Sequence, residues 1–394
     1  MIPVLTAVPS QPDLAVYYVA GAALNAGESP YDPTALDRVA AAAGVPFDAS
    51  GYTFASPFLY PPFFAVLARP LALLPYPIVQ IGWLLMNVVL IVTATLGLAW
   101  RVGLRSVAVA AGLVALIAPP TLETLLYGQI NALLYALLGG ALLAPRVGGA
   151  LIAIASAIKL FPAITLLAFV RARQRGQLAA AALTGFVAGA AGLWLAGVSR
   201  TVEYVVVVAP AVSGTALQPE NQSIQAVLLR LLTPSQHRYS AYTADDPQLV
   251  AFPAFVELPW LAAPLAWLLI VLILTVTAVT LWQRPSNLGF GVALLLSTAL
   301  LVTPVVWDHY LVLLVVPALV LLGMAHRRCP RWPDLLGSRE ARSLALAALF
   351  LGVHRFWKPL TLLVTPTPLL LVFGLLASAT IWLALVQARP GAER

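Results

Sequence analysis

The sequence is short of cysteine, of lysine and of charge of either sign. A single cysteine, Cys329, stands among 394 residues, so no intrachain disulfide can form and packing must hold the fold. Charged residues make up 9% of the chain, against about a quarter in soluble domains. Hydrophobic residues make up 61%. So much apolar surface cannot be hidden inside a soluble fold of this length, and lipid has to be the solvent for much of it. Neither a G-x-x-x-x-G-K-[ST] loop nor a dinucleotide glycine pattern occurs, which argues against direct nucleotide binding. No H-x-x-x-H or Asp-rich spacing supports a closed metal site, and no cofactor is expected. There is no internal repeat and no low-complexity tail, so one multi-span domain over 1–394 is the simplest organisation.

The net charge of +7 does not indicate nucleic acid, because the basic residues sit in short clusters between apolar runs. Arg171, Arg173 and Arg175 form one cluster, and Arg327 with Arg328 another. That is the pattern of the positive-inside rule. Runs long enough to cross a bilayer fall near 77–100, 105–118, 125–144, 178–197, 259–282, 287–303, 309–325, 343–363 and 367–388. The stretch between Arg146 and Arg171 is interrupted by Lys159 and Pro162 and reads as two half-helices or a re-entrant pair. With that pair returning, the basic clusters share a face, expected to be cytoplasmic. Residues 1–57, the Pro119–Tyr127 turn, the loop 198–258 and the Pro304–His309 turn then share the other. No cleavable signal peptide is read in Met1–Asp13. Residues 14–25 are expected to form a short amphipathic helix, and the proline-interrupted 57–75 an interfacial one. The loop at 234–257 is polar and mixed. The fold class is all-α, a polytopic transmembrane bundle in which 1–76 is external and 77–388 carries the spans.

The polar residues that could carry chemistry gather on the presumed outer face. Asp13 precedes the amphipathic helix, where an acidic group is also a good N-terminal cap; on the residue alone, capping is the stronger reading. Trp307-Asp308-His309-Tyr310 borders two apolar runs, where ionisable groups usually face a cavity or partner. The alternative is an interfacial anchor with Asp308 as a helix cap. Lys159 interrupts an apolar stretch at a cost of about 2.5–3.5 kcal/mol at helix centre, tolerable if it pairs with a carboxylate or a ligand phosphate. Snorkelling competes with that reading. Gln129 and Asn131, in Tyr127-Gly128-Gln129-Ile130-Asn131, either bridge helices or bind sugar hydroxyls. Glu220-Asn221-Gln222-Ser223 is a second polar knot. His237, His326 and His354 have no evident partner.

In this order the pieces resemble glycosyltransferase family 87. Asp13-Leu14-Ala15-Val16-Tyr17-Tyr18 with Gly27-Glu28-Ser29-Pro30-Tyr31-Asp32-Pro33 is similar to that family's first external loop. Phe58-Leu59-Tyr60-Pro61-Pro62, Gly128-Gln129-Ile130-Asn131, Lys159-Leu160-Phe161-Pro162, Asn221-Gln222-Ser223 and Trp307-Asp308-His309 follow. The resemblance implies a GT-C fold with interfacial helices on the non-cytoplasmic face, in a multi-pass plasma-membrane protein. It implies a polyprenyl-phosphate donor of a sugar, with mannose expected, and a glycolipid or glycan acceptor on the extracytoplasmic side. It maps an essential acidic residue onto Asp13 and an associated histidine onto His309, displacing the capping reading. The chain departs from the pattern twice. Only a dozen or so residues precede Asp13, where relatives usually have a transmembrane helix, and Tyr310 stands where many carry a second histidine.

On that basis Asp13 is the expected general base, assisted by His309. Lys159, Arg200 and Arg230 are candidates for the donor phosphate. Tyr17, Tyr60, Gln129, Asn131, Asn221, Gln222, Trp307 and Asp308 are candidates for sugar and acceptor, and the apolar residues from Tyr60 to Phe64 for the prenyl chain. A transporter or lipid flippase is the rival class, since it shares the apolar spans and the broken helix.

Overall fold

The computed structural model describes residues 11–49, 56–213, 218, 220–239, 248–284, 287–355 and 372–388. Helix dominates throughout. Among the described residues, an antiparallel hairpin within the mixed loop departs from the all-α expectation, Ser235–Tyr239 paired with Gln248–Phe252, with Ser235 opposite Phe252. The chain groups into two compact units, Met1–Leu98 with Ala108–Gly214, and Ala99–Val107 with Thr215–Arg394.

Among the described residues, four helices are long and apolar enough to cross a membrane: Tyr76–Arg101, Arg175–Ala196, Pro259–Gln283 and Asp308–Arg328. A fifth is possible if the bent pair Arg105–Ile117 and Pro119–Tyr127 counts as one span. Of the runs expected at 287–303 and 367–388, Leu288–Val302 and Phe373–Gln387 are helices of 15 residues each, and residues 367–371 lie outside the described residues. The run at 343–363 corresponds to Arg339–Arg355; its remainder, and the basic residues Arg389 and Arg394, lie outside the described residues.

The breaks follow from local chemistry. Pro119 and Pro120 hold Ala118 out of the helical region, because a residue before proline clashes in the α conformation. The two flanking helices therefore meet at 56°. Gly128 is left-handed (φ 68°) and ends the second of them, so the expected span 125–144 is divided and its helix begins only at Asn131. Lys159 is extended between Gly148–Ile158 and the 3-10 turn Phe161–Thr165, with Pro162 in its first turn. The interrupted 146–171 stretch is thus two half-helices, as the sequence suggests. Residues 12–25 correct the expectation of an amphipathic helix. With no charge beyond Asp13, Pro12–Asn25 is buried on nearly all sides, from Leu14 through Gly21 and again at Ala23 and Leu24.

Within the first unit, glycine sets how closely helices approach. Gly149 lies so near the chain at Gln177 that an added Cβ would fall 2.0 Å from the Gln177 carbonyl oxygen. The Gln177 side chain fastens the crossing, accepting from the Gly149 N–H at 3.0 Å and donating to the Arg146 carbonyl at 2.7 Å. The helix Arg175–Ala191 runs on into a π-helical turn, Gly192–Ala196, where Gly192 lies against Phe63.

Within the second unit, a hydroxyl relay ties three helices together. Trp382 Nε1 donates to Thr277 Oγ1 at 3.0 Å, and Thr277 shares a 2.9 Å bond with Thr298. Such bonds matter in lipid, where helices gain nothing from burying apolar surface against one another. Arg328 pairs with Glu340 at 2.5 Å, closing the loop between their helices.

Gly149→Val is expected to lower stability by more than the roughly 1–3 kcal/mol of ordinary overpacking, because the obstructing atoms are backbone. Gly176→Ala meets no atom within 4 Å and should hold or slightly raise stability, since alanine suits a helix better than glycine. Thermal unfolding of both proteins in one detergent checks the pair.

Candidate active site

Asp13 is placed by a backbone device. Gln11, immediately before the helix, is left-handed (φ 49°, ψ 59°), and Pro12 occupies the first helical turn. Gln11 is buried and donates through Nε2 to the Gln80 carbonyl at 3.4 Å. It is the N-cap residue, and the helix has no side-chain cap. The Asp13 carboxylate is turned to another partner: Oδ2 accepts from Gln129 Nε2 at 2.5 Å.

Gln129 has both ends engaged. Its Oε1 lies 3.1 Å from Tyr17 Oη and 3.4 Å from Tyr60 Oη. The two phenols also bond each other at 2.8 Å. With one phenol hydrogen used between the rings, the other is left to donate to Oε1, and that donor on one side with a carboxylate on the other fixes which end of the amide is oxygen. Gln129 thus works first as a bridge between protein groups. Its backbone is held as well, because Trp83 Nε1 donates to the Gly128 carbonyl at 2.7 Å and Asn87 Nδ2 to the Gln129 carbonyl at 3.3 Å. Gly128 is required here twice over. Its φ is positive, and a Cβ would lie 2.8 Å from Gln11 Cβ and 2.9 Å from Leu14 Cβ.

Lys159, buried in the break between its half-helices, donates to Asn131 Oδ1 at 2.9 Å and sits 5.3 Å from the centre of the Tyr60 ring. Asp13, Gln129, Tyr17, Tyr60, Lys159 and Asn131 therefore form one polar network inside an apolar unit. Asp13 keeps some solvent exposure although protein surrounds its carboxylate. Burial pushes that carboxyl up to about 6, while the Gln129 bond and the Lys159 charge oppose the rise. A carboxylate of that strength can take a proton from a reacting hydroxyl near neutral pH. Burial lowers the adjacent Lys159 ammonium to about 7, against the pull of Asp13, and in its protonated form it can bind an anionic group.

Aromatic rings line this network. Tyr17 meets Tyr60 and Phe64 edge-on at 5.2 and 4.9 Å, and Phe58 stacks on Phe64 at 6.1 Å. Tyr31 donates to the Tyr60 carbonyl at 2.9 Å. The preceding Ser29 donates to Glu203 at 2.7 Å. Arg200, a candidate phosphate ligand, is instead tied to backbone, donating to the Ala196 carbonyl at 2.7 Å and to the Gly27 carbonyl.

The remaining candidates belong to the second unit, which holds a polar cluster of its own. Asn221 Oδ1 accepts from the N–H groups of Val306 at 2.9 Å and Ser223 at 3.1 Å, while its Nδ2 donates to the Pro304 carbonyl at 3.2 Å. The Gln222 N–H donates to the Val306 carbonyl at 2.7 Å, and Asn221 pairs with Trp307 as a single β-bridge. The Asn221–Gln222 knot thus clamps the turn leading to His309. Asp308 and His309 are both buried, and Asp308 Oδ1 bonds His354 Nε2 at 2.8 Å. The buried Arg230 donates to the Gln218 carbonyl at 2.8 Å. Burial lowers its proton affinity to about 10, against the pull of Glu220 and Asp308.

Several of these groups escaped the sequence reading. His354 has a partner after all. Gln80, Trp83 and Asn87 fall at helical i, i+3 and i+7 positions on an apolar span, a polar stripe that does carry a signal. Gln11 is a torsional feature with no sequence signature. Among the described residues, no three His, Cys, Asp or Glu side chains gather to hold a metal ion.

The family model for glycosyltransferase family 87 matches residues 58–304, between Asp13 and His309. The chain is 29% identical over 328 residues to the polyprenol-phosphate-mannose-dependent alpha-(1-2)-phosphatidylinositol mannoside mannosyltransferase of Mycolicibacterium smegmatis, covering 78% of this chain and 68% of that one. The protein of the same description from Mycobacterium tuberculosis is 29% identical over 336 residues, with 78% and 69% covered. The pentamannoside mannosyltransferase of M. smegmatis is 33% identical over 141 residues, 34% of each chain. No solved structure matches.

Gln129→Leu removes a bond that favours the Asp13 carboxylate, so the Asp13 titration should move above its position near 6. Infrared pH-difference spectra, with the Asp13→Asn spectrum subtracted to isolate the carboxyl, measure that shift. An unmoved or lowered midpoint contradicts the geometry.

Proposed function

The chain belongs to glycosyltransferase family 87, and from that premise we propose that it transfers mannose from a polyprenyl-phosphate donor to a glycolipid acceptor. The names of the two long-matching relatives support both the donor and a phosphatidylinositol mannoside as the acceptor class. The observation that carries the reading is the Asp13–Gln129–Lys159 network. It combines a carboxylate of raised proton affinity with a buried cation in an otherwise apolar unit.

In the proposed reaction an acceptor hydroxyl gives its proton to Asp13 as its oxygen bonds to the anomeric carbon. The bond from that carbon to the phosphate oxygen breaks in the same displacement, and the polyprenyl phosphate leaves with the electron pair. A phosphate leaving group needs charge stabilisation more than protonation, which is the role assigned to Lys159. One in-line displacement inverts the anomeric centre, so a β-linked donor yields an α-mannoside. Gln129 orients Asp13, and the phenols of Tyr17 and Tyr60 border the sugar. The apolar residues from Tyr60 to Phe64 receive the first prenyl units. His309 is assigned to the reaction through the family's Trp-x-His pattern, and its part is tested by replacement with alanine. The reading includes a GT-C architecture and catalysis on the extracytoplasmic side.

Membranes holding the protein, given labelled polyprenyl-phosphomannose and a phosphatidylinositol mannoside extract, should form a new glycolipid. Asp13→Asn should lower that rate by about 10²–10⁴-fold, the usual contribution of a general base. Movement of labelled lipid across the bilayer without a new glycosidic bond would instead identify a flippase.

Because the base acts as the carboxylate and Lys159 as the ammonium, wild-type turnover should fall about tenfold per pH unit below roughly 6 and fall again above roughly 7. Initial rates over a pH series check the profile, and a flat profile through pH 5 removes Asp13 as the base.

A further inference from the structure

His354 lies in the last turn of the Arg339–Arg355 helix, far in sequence from any motif of the family resemblance. It is nonetheless buried, and its Nε2 meets Asp308 Oδ1 at 2.8 Å with both side chains under a tenth exposed. Asp308 opens the 3-10 turn Asp308–Leu314, and its immediate neighbour His309 is buried in the same turn. A carboxylate here accepts, so the imidazole presents Nε2–H to it.

The turn is held from two sides. Upstream, Asn221 and Gln222 fix the backbone at Pro304 and Val306. At Asp308 the side chain itself is anchored, and the anchor is His354. The buried Arg230 adds a positive group acting on the same carboxylate. The Asp308–His309 peptide is thus held by backbone bonds, those upstream and the one from the Tyr310 N–H to the Trp307 carbonyl at 2.8 Å, while the Asp308 side chain is held by the His354 imidazole. Breaking such a buried bond leaves a carboxylate short of a donor, and that is costly enough to let the local turn reorganise.

We propose that His354 is a positioning residue, holding Asp308 and through it the orientation of the His309 ring for the transfer reaction. Its consequence for turnover rests on the glycosyltransferase reading; the coupling of the two histidines does not.

The chain has four histidines, so selective 15N-histidine labelling of the full chain in nanodiscs gives a spectrum that single substitutions can assign. His354→Gln keeps an N–H donor long enough to reach Asp308, whereas His354→Leu keeps bulk and loses the donor. The expected result is a shifted or broadened His309 signal in His354→Leu, an unchanged one in His354→Gln, and unchanged His237 and His326 signals in both. If His354→Leu does not fold, His354→Asn, whose amide is too short to make the bond, takes its place. A His309 signal that stays put in the donor-less variant, or moves equally in both, overturns the proposal.

Turnover is then read per folded protein. His354→Leu should lower kcat by about 10²-fold, the scale of a misplaced catalytic group, with donor KM within about twofold. His354→Gln should restore most of the rate, and His354→Leu should add nothing in an Asp308→Asn background. Additive losses, or a loss confined to folded yield, assign His354 to stability alone and overturn the positioning role. If the wild type makes no glycolipid, the function reading fails while the spectra still decide the coupling.

Discussion

A carboxylate withdrawn from water must find donors or take up a proton, and most of the first unit follows from how Asp13 meets that demand. One amide, Gln129, supplies the donor at 2.5 Å. To aim its nitrogen at Asp13, its oxygen has to face Tyr17 and Tyr60. To hold its backbone, a tight turn at Gly128 must be fastened to the neighbouring span through Trp83 and Asn87. The bond lowers the cost of ionising Asp13 without removing it, which leaves the group near 6 rather than in the ordinary carboxylate range.

Lys159 answers the opposite problem by the same means. An ammonium inside an apolar stretch needs acceptors, and a break in the helix brings it to Asn131 and the face of Tyr60. The interruption and the charge belong together: a continuous helix would have carried the lysine along its side. The two ionisable groups are then linked through the neutral side chains of Gln129 and Tyr60, and each acts on the other's charge.

What the sequence discloses depends on the kind of signal. Apolar runs mark Tyr76–Arg101 and Pro259–Gln283 to within a residue or two, because lipid enforces length and hydropathy directly. Prolines and an isolated lysine mark the broken stretch around 159 for equally local reasons. The division of the 125–144 run was missed because a single glycine torsion decides it. Asp13, Gln129, Tyr17, Tyr60, Lys159 and Asn131 are each visible as unusual residues in apolar surroundings, yet nothing local says that Gln129 joins the others. His354 stayed hidden because its partner lies 46 residues away and no periodic pattern links them.

Gln11 and Gly128 stand back to back, both left-handed, from segments more than a hundred residues apart. The seat of Asp13 is thus recorded partly in torsion angles, as a shape shared by two distant stretches of chain. Drift at one of them is answerable at the other: any bulkier residue replacing the glycine forces a new path on the strand of chain entering the first helix. Inheritance at this point is of a pair, and a descendant that exchanged either member alone would have to find another way to seat the acid.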